Sequence, residues 1–246
     1  MNTPAMTRTP DRASATTPEP RMALNANACI DIDELRKHVP VLRRKLSAGQ
    51  YLYRAGQPFG ALFLVHAGFL KACLVAEDGR EQVTGFRMRG DLLGVESIGA
   101  GSYSCDIVAL DTSEVWELPY PAILNACALV SNLQDQLATA LAAEIRRDHS
   151  WMLAMGTLNA EQRVAAFLLD LAARHAALGF SERHFVLRMS RADIGNFLAL
   201  KHETVTRALT RLSGQGCIDV QWREVRLLDS ARLRSTVSGV TSASIH

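Results

Sequence analysis

Hydrophobic and polar positions follow two different patterns along this chain. Between Gly49 and Gly101 lie ten of the sixteen glycines, and they separate short apolar or alternating stretches: Tyr51–Tyr53, Ala61–Val65, Phe69–Val75, Glu81–Arg87 and Leu92–Gly94. Val108–Leu118 adds one more. Short strands at near-regular spacing, punctuated by glycine turns, predict a small antiparallel barrel or jelly roll. Glu77-Asp78-Gly79-Arg80 and Arg89-Gly90-Asp91 supply the turn chemistry between strands. Ahead of this region, residues 31–46 carry a short helical pattern broken at Pro40.

After Pro121 glycine is absent until Gly156, and the apolar spacing becomes helical. Leu137, Leu141, Ile145, Asp148, Met152 and Met155 follow one another at intervals of 4, 4, 3, 4 and 3, so they share one stripe of a long helix. A stripe this narrow suits a two-helix seam between copies of the chain, and equally suits packing on the chain's own barrel. A second helical stretch, Ala160–Leu178, ends at Gly179, the residue type that most often closes a helix.

The most informative segment runs from Ser190 to Leu212, SRADIGNFLALKHETVTRALTRL. Ser190 with Asp193 three residues later has the form of a capping box for a helix reaching about Leu198. A short turn, Ala199–Lys201, leads to a second helix from His202 to about Ser213, with Val205, Leu209 and Leu212 facing inward. Two short helices joined by a tight turn form a helix-turn-helix, whose second helix can enter the DNA major groove. Opposite the apolar stripe sit Glu203 and Arg207, with Thr206 on the flank and His202 in the first turn. Arg can donate two hydrogen bonds to guanine and Glu can accept from cytosine, so these are base-reading side chains in a base-reading place. The two are four apart, which also permits a salt bridge between them, and such a pair on an ordinary solvated helix is the plain alternative. Cys217–Val220 and Val225–Leu228 then predict a small hairpin, a wing.

Composition narrows the setting. The 246 residues are enough for one or two domains with a sizeable core, and the 48% apolar, 21% charged balance is that of an ordinary globular chain. No run of about 18 uncharged apolar residues occurs, and the N-terminus lacks the apolar region of a secretory signal, so no membrane partner and a cytoplasmic location are expected. Five scattered cysteines (Cys29, Cys73, Cys105, Cys127, Cys217) show no zinc or disulfide spacing; the last four lie in apolar patterns and read as core. The total charge of +2 hides an asymmetry: residues 157–234 carry +4 and the remainder −2, which places the basic character where a nucleic acid would be met. No Gly-rich phosphate loop, metal-ligand triad or nucleophile–base pattern is present, so neither an enzyme nor a metal site is expected.

Several motifs in order resemble the catabolite-activator/FNR (Crp/Fnr) family of bacterial transcription regulators, the FNR branch most closely. They are Gly49-Gln50 with Ala55-Gly56, Glu81–Phe86, Gly90-Asp91-Leu92-Leu93-Gly94, Asn159–Phe167, and Asp193–Asn196 through Glu203–Arg207, together spanning about residues 46–230. The resemblance implies an α+β chain divided as follows: a disordered tail at 1–28, a cyclic-nucleotide-binding-type β-roll at 29–120, a dimerisation helix at 121–156, a winged helix-turn-helix at 157–234, and a tail at 235–246. It implies that Glu203 and Arg207 read bases of a TTGAT-like inverted repeat, with Thr206 as a discriminating neighbour. His202, Lys201, Ser190 and Arg191 would complete the DNA contact, double-stranded DNA and a second copy of the chain being partners. Lys201 departs from the family, where Ser or Thr usually caps this helix. The turn Glu77, Asp78, Gly79, Arg80 is similar to a family surface that touches RNA polymerase. Asp148 would face its own copy in a parallel dimer and weaken it, or else point aside to Arg146 or Arg147 of the partner.

The signal sensed is less defined. A bound cyclic phosphate demands a charged, bidentate partner, and no arginine occurs between Arg89 and Arg146, which argues against cAMP. A four-cysteine [4Fe–4S] cluster is argued against too: the N-terminal region offers Cys29 alone, and Trp116 stands near where the barrel ligand would be expected. Heme remains a candidate through His38 or His66, as do another small ligand, a thiol signal, or none; His149, His175 and His184 read as surface positions. A heme or small-ligand sensor whose DNA contact is incidental is the rival reading.

Overall fold

A computed structural model describes residues 32–130 and 132–239. The tail expected at 1–28, Cys29 and residues 240–246 lie outside the described residues. Helix α1 (Ile32–His38) leads into strands β1 (Leu42–Leu46), β2 (Tyr51–Tyr53), β3 (Ala61–Ala67), β4 (Phe69–Val75), β5 (Glu81–Met88), β6 (Leu92–Leu93), β7 (Asp106–Ala109) and β8 (Ser113–Pro119). They form two four-stranded antiparallel sheets, ordered β1-β8-β3-β6 and β2-β7-β4-β5. Inward side chains of both sheets, among them Tyr53, Phe63, Leu70, Leu93, Ile107 and Val115, fill the roll, and Tyr53 stacks on Tyr103 at 3.9 Å.

Three elements differ from their sequence-based expectation. Residues 42–46 form a strand where a helical pattern had been read. LRRKL has no alternation because β1 is a sheet edge with four of its five side chains exposed, and its basic residues protect that edge from pairing with other chains. The single strand expected over Val108–Leu118 is two, β7 and β8, parted by a turn in which Asp111 accepts from the Phe69 amide at 3.0 Å. The single helix expected over 121–156 is also two, α2 (Tyr120–Leu129) and α3 (Leu133–Thr157). Strand β3 is buried on both faces, because its outer side chains Leu62 and Leu64 pack with Leu35, Trp116, Ile123, Ala126 and Leu133 under α1, α2 and the start of α3.

The C-terminal unit holds α4 (Ala160–Ala177), β9 (His184–Val186), α5 (Arg191–Phe197), α6 (His202–Gly214), β10 (Ile218–Gln221), β11 (Glu224–Leu227) and α7 (Ser230–Ser238). Helix α7 carries the fold past residue 234, into the segment expected to be tail. Helix α4 begins at a capping box, Asn159 Oδ1 accepting from the Gln162 amide at 3.0 Å while Gln162 Oε1 accepts from the Asn159 amide at 2.9 Å. Its buried face, Val164, Phe167, Leu168 and Leu171, shares one core with Ile194, Phe197, Leu209 and Leu212. That core does not stop at the domain edge. Phe86 of β5 and Trp151 of α3 join Phe167 and Phe197 in edge-on and tilted ring contacts of 4.9–6.4 Å. Truncating one such ring in a core typically costs about 3–5 kcal/mol, so this cluster ties roll, long helix and C-terminal unit together.

Candidate nucleic-acid interface

Helix α5 starts as its sequence predicts. Ser190 Oγ accepts from the Asp193 amide at 3.0 Å, and Asp193 Oδ2 accepts from the Ser190 amide, also at 3.0 Å. The helix-turn-helix bend passes through Ala199 at φ 54, a left-handed residue, and the Leu200 amide donates back to the Gly195 carbonyl at 2.8 Å. Helix α6 then buries Val205, Ala208, Leu209 and Leu212. Each fully buried aliphatic side chain of this size is worth roughly 1.5–3 kcal/mol, enough to fix which face of α6 turns outward.

That outward face carries His202, Glu203, Thr206 and Arg207, all exposed, with Lys201 exposed beside them. Lys201 makes no side-chain cap, as its departure from Ser or Thr implies. The Thr204 and Val205 amides donate to the Lys201 carbonyl, and no side chain caps the turn before them, so the positive end of the helix dipole faces outward and favours a phosphate there. The salt bridge allowed by the spacing of Glu203 and Arg207 is not formed. Glu203 lies 3.4 Å from His202 Nε2, and Arg207 Nη2 donates to Thr204 Oγ1 at 3.5 Å. Thr206 Oγ1 donates to the His202 carbonyl at 3.0 Å. Both members of the expected base-reading pair thus stand free of each other, able to meet a base edge. Ser190 is exposed, and Arg191, half-buried, donates from Nη2 to the Trp222 carbonyl at 3.0 Å, which joins the α5 start to the tip of the β10–β11 hairpin. The wing was expected as two strands; β9 adds a third, pairing Phe185 with Val225, and was too short to stand out in the sequence.

The α3 stripe is divided. Ile145 and Met152 are 56% and 70% exposed, and Asp148 between them is exposed too. Leu141 is partly covered, Leu137 packs on the core under α2, and Met155 on the C-terminal core. The Asp148 side chain reaches solvent but is partly desolvated against α3, and this together with the neighbouring Glu144 carboxylate raises its carboxyl above the usual range. The turn Glu77, Asp78, Gly79, Arg80 is exposed, with Arg80 Nε donating to Asp78 Oδ2 at 2.7 Å. Cys73, Cys105 and Cys217 are buried and Cys127 is half-buried. Burial and Glu81 push the Cys73 thiol up to about 12. His38 is exposed, and His66 stacks on Trp116 at 4.3 Å. His175 corrects its reading as a surface position: its ring stacks on Phe185 at 5.2 Å and burial holds its pKa down. No group of three His, Cys, Asp or Glu side chains suited to a metal occurs among the described residues, and no described helix is long and apolar enough to cross a membrane.

A set of contacts absent from the sequence reading docks the helix-turn-helix on its own β-roll. Lys71 Nζ of β4 lies 3.0 Å from Asp193 Oδ1 and 2.8 Å from Glu81 Oε1. Asn196 Oδ1 accepts from the Val83 amide at 2.6 Å, its Nδ2 donates to the Glu81 carbonyl at 2.8 Å, and Gln82 Nε2 donates to the Asn196 carbonyl at 2.7 Å. Asn196 thereby continues the β5 edge like a short strand. Asp91 also bonds Arg174 of α4, whose Nη1 donates to the Phe86 carbonyl at 3.0 Å, while Arg147 of α3 reaches the same carbonyl at 3.2 Å. The available signal was Asp170 with Arg174, a charged i, i+4 pair on the otherwise apolar buried face of α4.

Comparison with known proteins matches residues 43–129 to the cyclic nucleotide-binding domain and residues 162–236 to the Crp-like helix-turn-helix domain. The transcriptional activator protein Anr of Pseudomonas aeruginosa is 36% identical over 218 residues, covering 89% of this chain and 88% of that one. The transcriptional regulatory protein Btr of Bordetella pertussis is 38% identical over 216 residues, 88% of each. Among solved structures, FixK2 of Bradyrhizobium japonicum aligns with a TM-score of 0.72 at 28% identity, over 83% of this chain and 98% of its own. An exposed acidic and guanidinium pair on a helix-turn-helix, a β-roll and a long helix in this order, and relatives of this identity and coverage place the chain in the Crp/Fnr family of DNA-binding transcription regulators.

Proposed function

We propose that the chain binds, as a homodimer joined along α3, a TTGAT-like inverted repeat, and recruits RNA polymerase as an activator in response to a redox, oxygen, nitric oxide or other small-molecule signal. The observation that carries this is Glu203 and Arg207 standing exposed on the first two turns of α6, opposite its buried stripe. Arg207 supplies the two donors a guanine takes, and Glu203 accepts from a cytosine amine. Thr206 and His202 flank them, and Lys201, Ser190 and Arg191 reach the phosphates that set register. The exposed Ile145 and Met152 supply the apolar part of the dimer seam, and the exposed turn from Glu77 to Arg80 is the surface offered to polymerase. The reading places the protein in the cytoplasm, where its DNA is. Glu203→Ala and Arg207→Ala are each expected to weaken binding to a palindromic TTGAT operator by about 1–3 kcal/mol, with little change on unrelated duplex. Fluorescence anisotropy at fixed salt measures this, and unchanged operator affinity in both variants overturns the reading.

A further inference from the structure

The buried residues of α4 are apolar except for Asp170 and Arg174, which are 3% and 4% exposed. They are one helical turn apart, a spacing that suits an ion pair, yet the guanidinium groups around Asp170 are engaged elsewhere. Arg174 bonds Asp91 of the β5–β6 turn and donates to the Phe86 carbonyl at 3.0 Å. Arg147 of α3 donates to the same carbonyl at 3.2 Å and lies 3.6 Å from Glu144, which Arg87 of β5 bonds. Asp148, exposed on α3, is the remaining charge of this junction and acts on Arg87 and Arg147. Three arginines therefore stand against three carboxylates, Asp91, Glu144 and Asp148, before Asp170 is counted. Asp170 is the surplus acid, and among the described residues its Oδ1 has no hydrogen-bond partner.

A carboxylate buried without a partner is costly, and the group avoids that cost by keeping its proton. Burial raises the Asp170 pKa, with Asp91 and Glu144 adding to the rise and Arg174 and Arg147 opposing it. The position of this acid gives the proton a mechanical consequence. Val164, Phe167, Leu168 and Leu171 of α4 share a core with Ile194, Phe197, Leu209 and Leu212, so α4 carries α5 and α6 with it. Apart from Arg174, the charges around Asp170 belong to the roll and to α3.

We propose that Asp170 is a proton-operated latch: protonated, it lets α4 pack against the roll and α3, and ionised, it draws in water and loosens α4 together with the helix-turn-helix that α4 carries. This names a signal, the proton, for the DNA-binding face assigned above and rests on that reading. Opening releases one proton from each Asp170 to solvent, and closing takes it back. Two recognition helices of a dimer enter both half-sites only when held about 34 Å apart, one turn of the duplex. The latched arrangement fixes that span. The loosened one leaves each α6 intact on its own core but frees the span, so the gain from engaging two half-sites at once is lost while single half-site binding is kept. Once hydrated, Asp170 returns to an ordinary carboxyl pKa, below its value in the latched arrangement. Latching is therefore complete below the ordinary value of about 3.9 and is lost as pH rises through the latched one.

The test uses the full chain and two duplexes, a palindromic TTGAT operator and the same duplex with one half-site scrambled. Anisotropy at fixed salt is read from acid to mildly alkaline pH, at chain concentrations where sedimentation shows only dimers, so that titration of Asp148 in the seam does not enter. The parent's preference for the palindrome is expected to fall by about ten-fold as pH rises, the effect of one pKa unit between the two arrangements. Asp170→Asn and Asp170→Leu, which cannot ionise, are expected to hold that preference constant. Hydrogen exchange at the amides of residues 86–91, corrected for its intrinsic pH dependence, should quicken over the same range in the parent alone. A parent preference that is flat or rises with pH, or a fall that both variants share, overturns the proposal. Arg207→Ala separates the two readings: if it weakens operator binding at every pH while parent and Asp170→Asn have one profile, the base-reading helix stands and the latch falls. If Arg207→Ala changes nothing while exchange still quickens in the parent alone, the latch stands and the base-reading assignment falls.

Discussion

At the scale of single residues, the helix-turn-helix bend depends on one missing side chain and tolerates one strained one. A Cβ added to Gly195 would lie 2.6 Å from the Leu200 carbonyl oxygen, a backbone atom that cannot swing aside. Overpacking of this kind typically costs about 1–3 kcal/mol, so Gly195→Ala is expected to lower stability by that amount and to shift the denaturation midpoint at unchanged m-value. Ala199, four residues on, holds φ 54 with a side chain present. Left-handed backbone costs an L-residue roughly 1–2 kcal/mol, partly offset by the lower unfolded-state entropy of alanine. Ala199→Gly is therefore expected to stabilise by about 0.5–1 kcal/mol in the same titration. Neither effect was visible in the letters, because each depends on where a distant carbonyl or a backbone angle lands, and not on the chemistry of the residue itself.

At the scale of elements, legibility follows how locally each element is determined. Helices α4, α5 and α6 were readable because end signals and apolar spacing agree over Ala160–Leu178 closed by Gly179, at Ser190 with Asp193, and along Val205, Leu209 and Leu212. Strands β1 and β9 were not, since one is an exposed edge without alternation and the other has three residues whose pairing comes from β11. The α3 stripe was readable as a stripe but not as a seam, because one letter pattern serves both a self-packed and a partner-packed face; Leu137 and Met155 take the first role, while Ile145 and Met152 are left for the second. Asp148 lies between those two exposed positions, and in a two-fold dimer it would stand near its own copy. Its carboxyl is already held above the usual range by partial desolvation and by Glu144, against the opposing charges of Arg87 and Arg147. A second carboxylate would raise it further. Asp148→Ala is accordingly expected to tighten self-association, and the parent protein to associate more strongly as pH falls through the raised carboxyl pKa. Sedimentation across a concentration series measures both, and coincident isotherms for the two proteins would remove Asp148 from the account.

At the scale of the whole molecule, a buried ionic cluster decides how roll, long helix and helix-turn-helix are held in one arrangement. Asp91 from the roll bonds Arg174 of α4 and lies 4.0 Å from Arg147 of α3, and Arg87 of β5 bonds Glu144 of α3. Burial alone would raise the Asp91 carboxyl, but the charges of Arg174, Arg147 and Arg87 outweigh it and the pKa is lowered. A lowered folded-state pKa means that Asp91 contributes stability above the unfolded carboxyl value of about 3.9 and loses it as pH falls through the folded value. Asp170, on the same face of α4, shows the opposite balance: burial outweighs the attraction of Arg174 and Arg147, its pKa is raised, and among the described residues its Oδ1 has no hydrogen-bond partner. Asp170 therefore withdraws stability as pH rises from about 3.9 toward its folded value. Two isosteric substitutions around the same arginines are thus expected to act in opposite directions. Asp91→Asn leaves Arg174 buried without its counter-charge and should cost about 3–5 kcal/mol at neutral pH, with the difference narrowing in acid. Asp170→Asn removes the ionisation that burial resists and should match or exceed the parent's stability at neutral pH, with the two converging near pH 4, about the unfolded carboxyl value. Urea titrations of the three proteins from acid to neutral pH give the comparison directly. Parallel pH profiles for both variants would mean that the cluster does not set the balance between the domains, whereas diverging profiles would place the control of helix-turn-helix docking in the charge state of this one buried site.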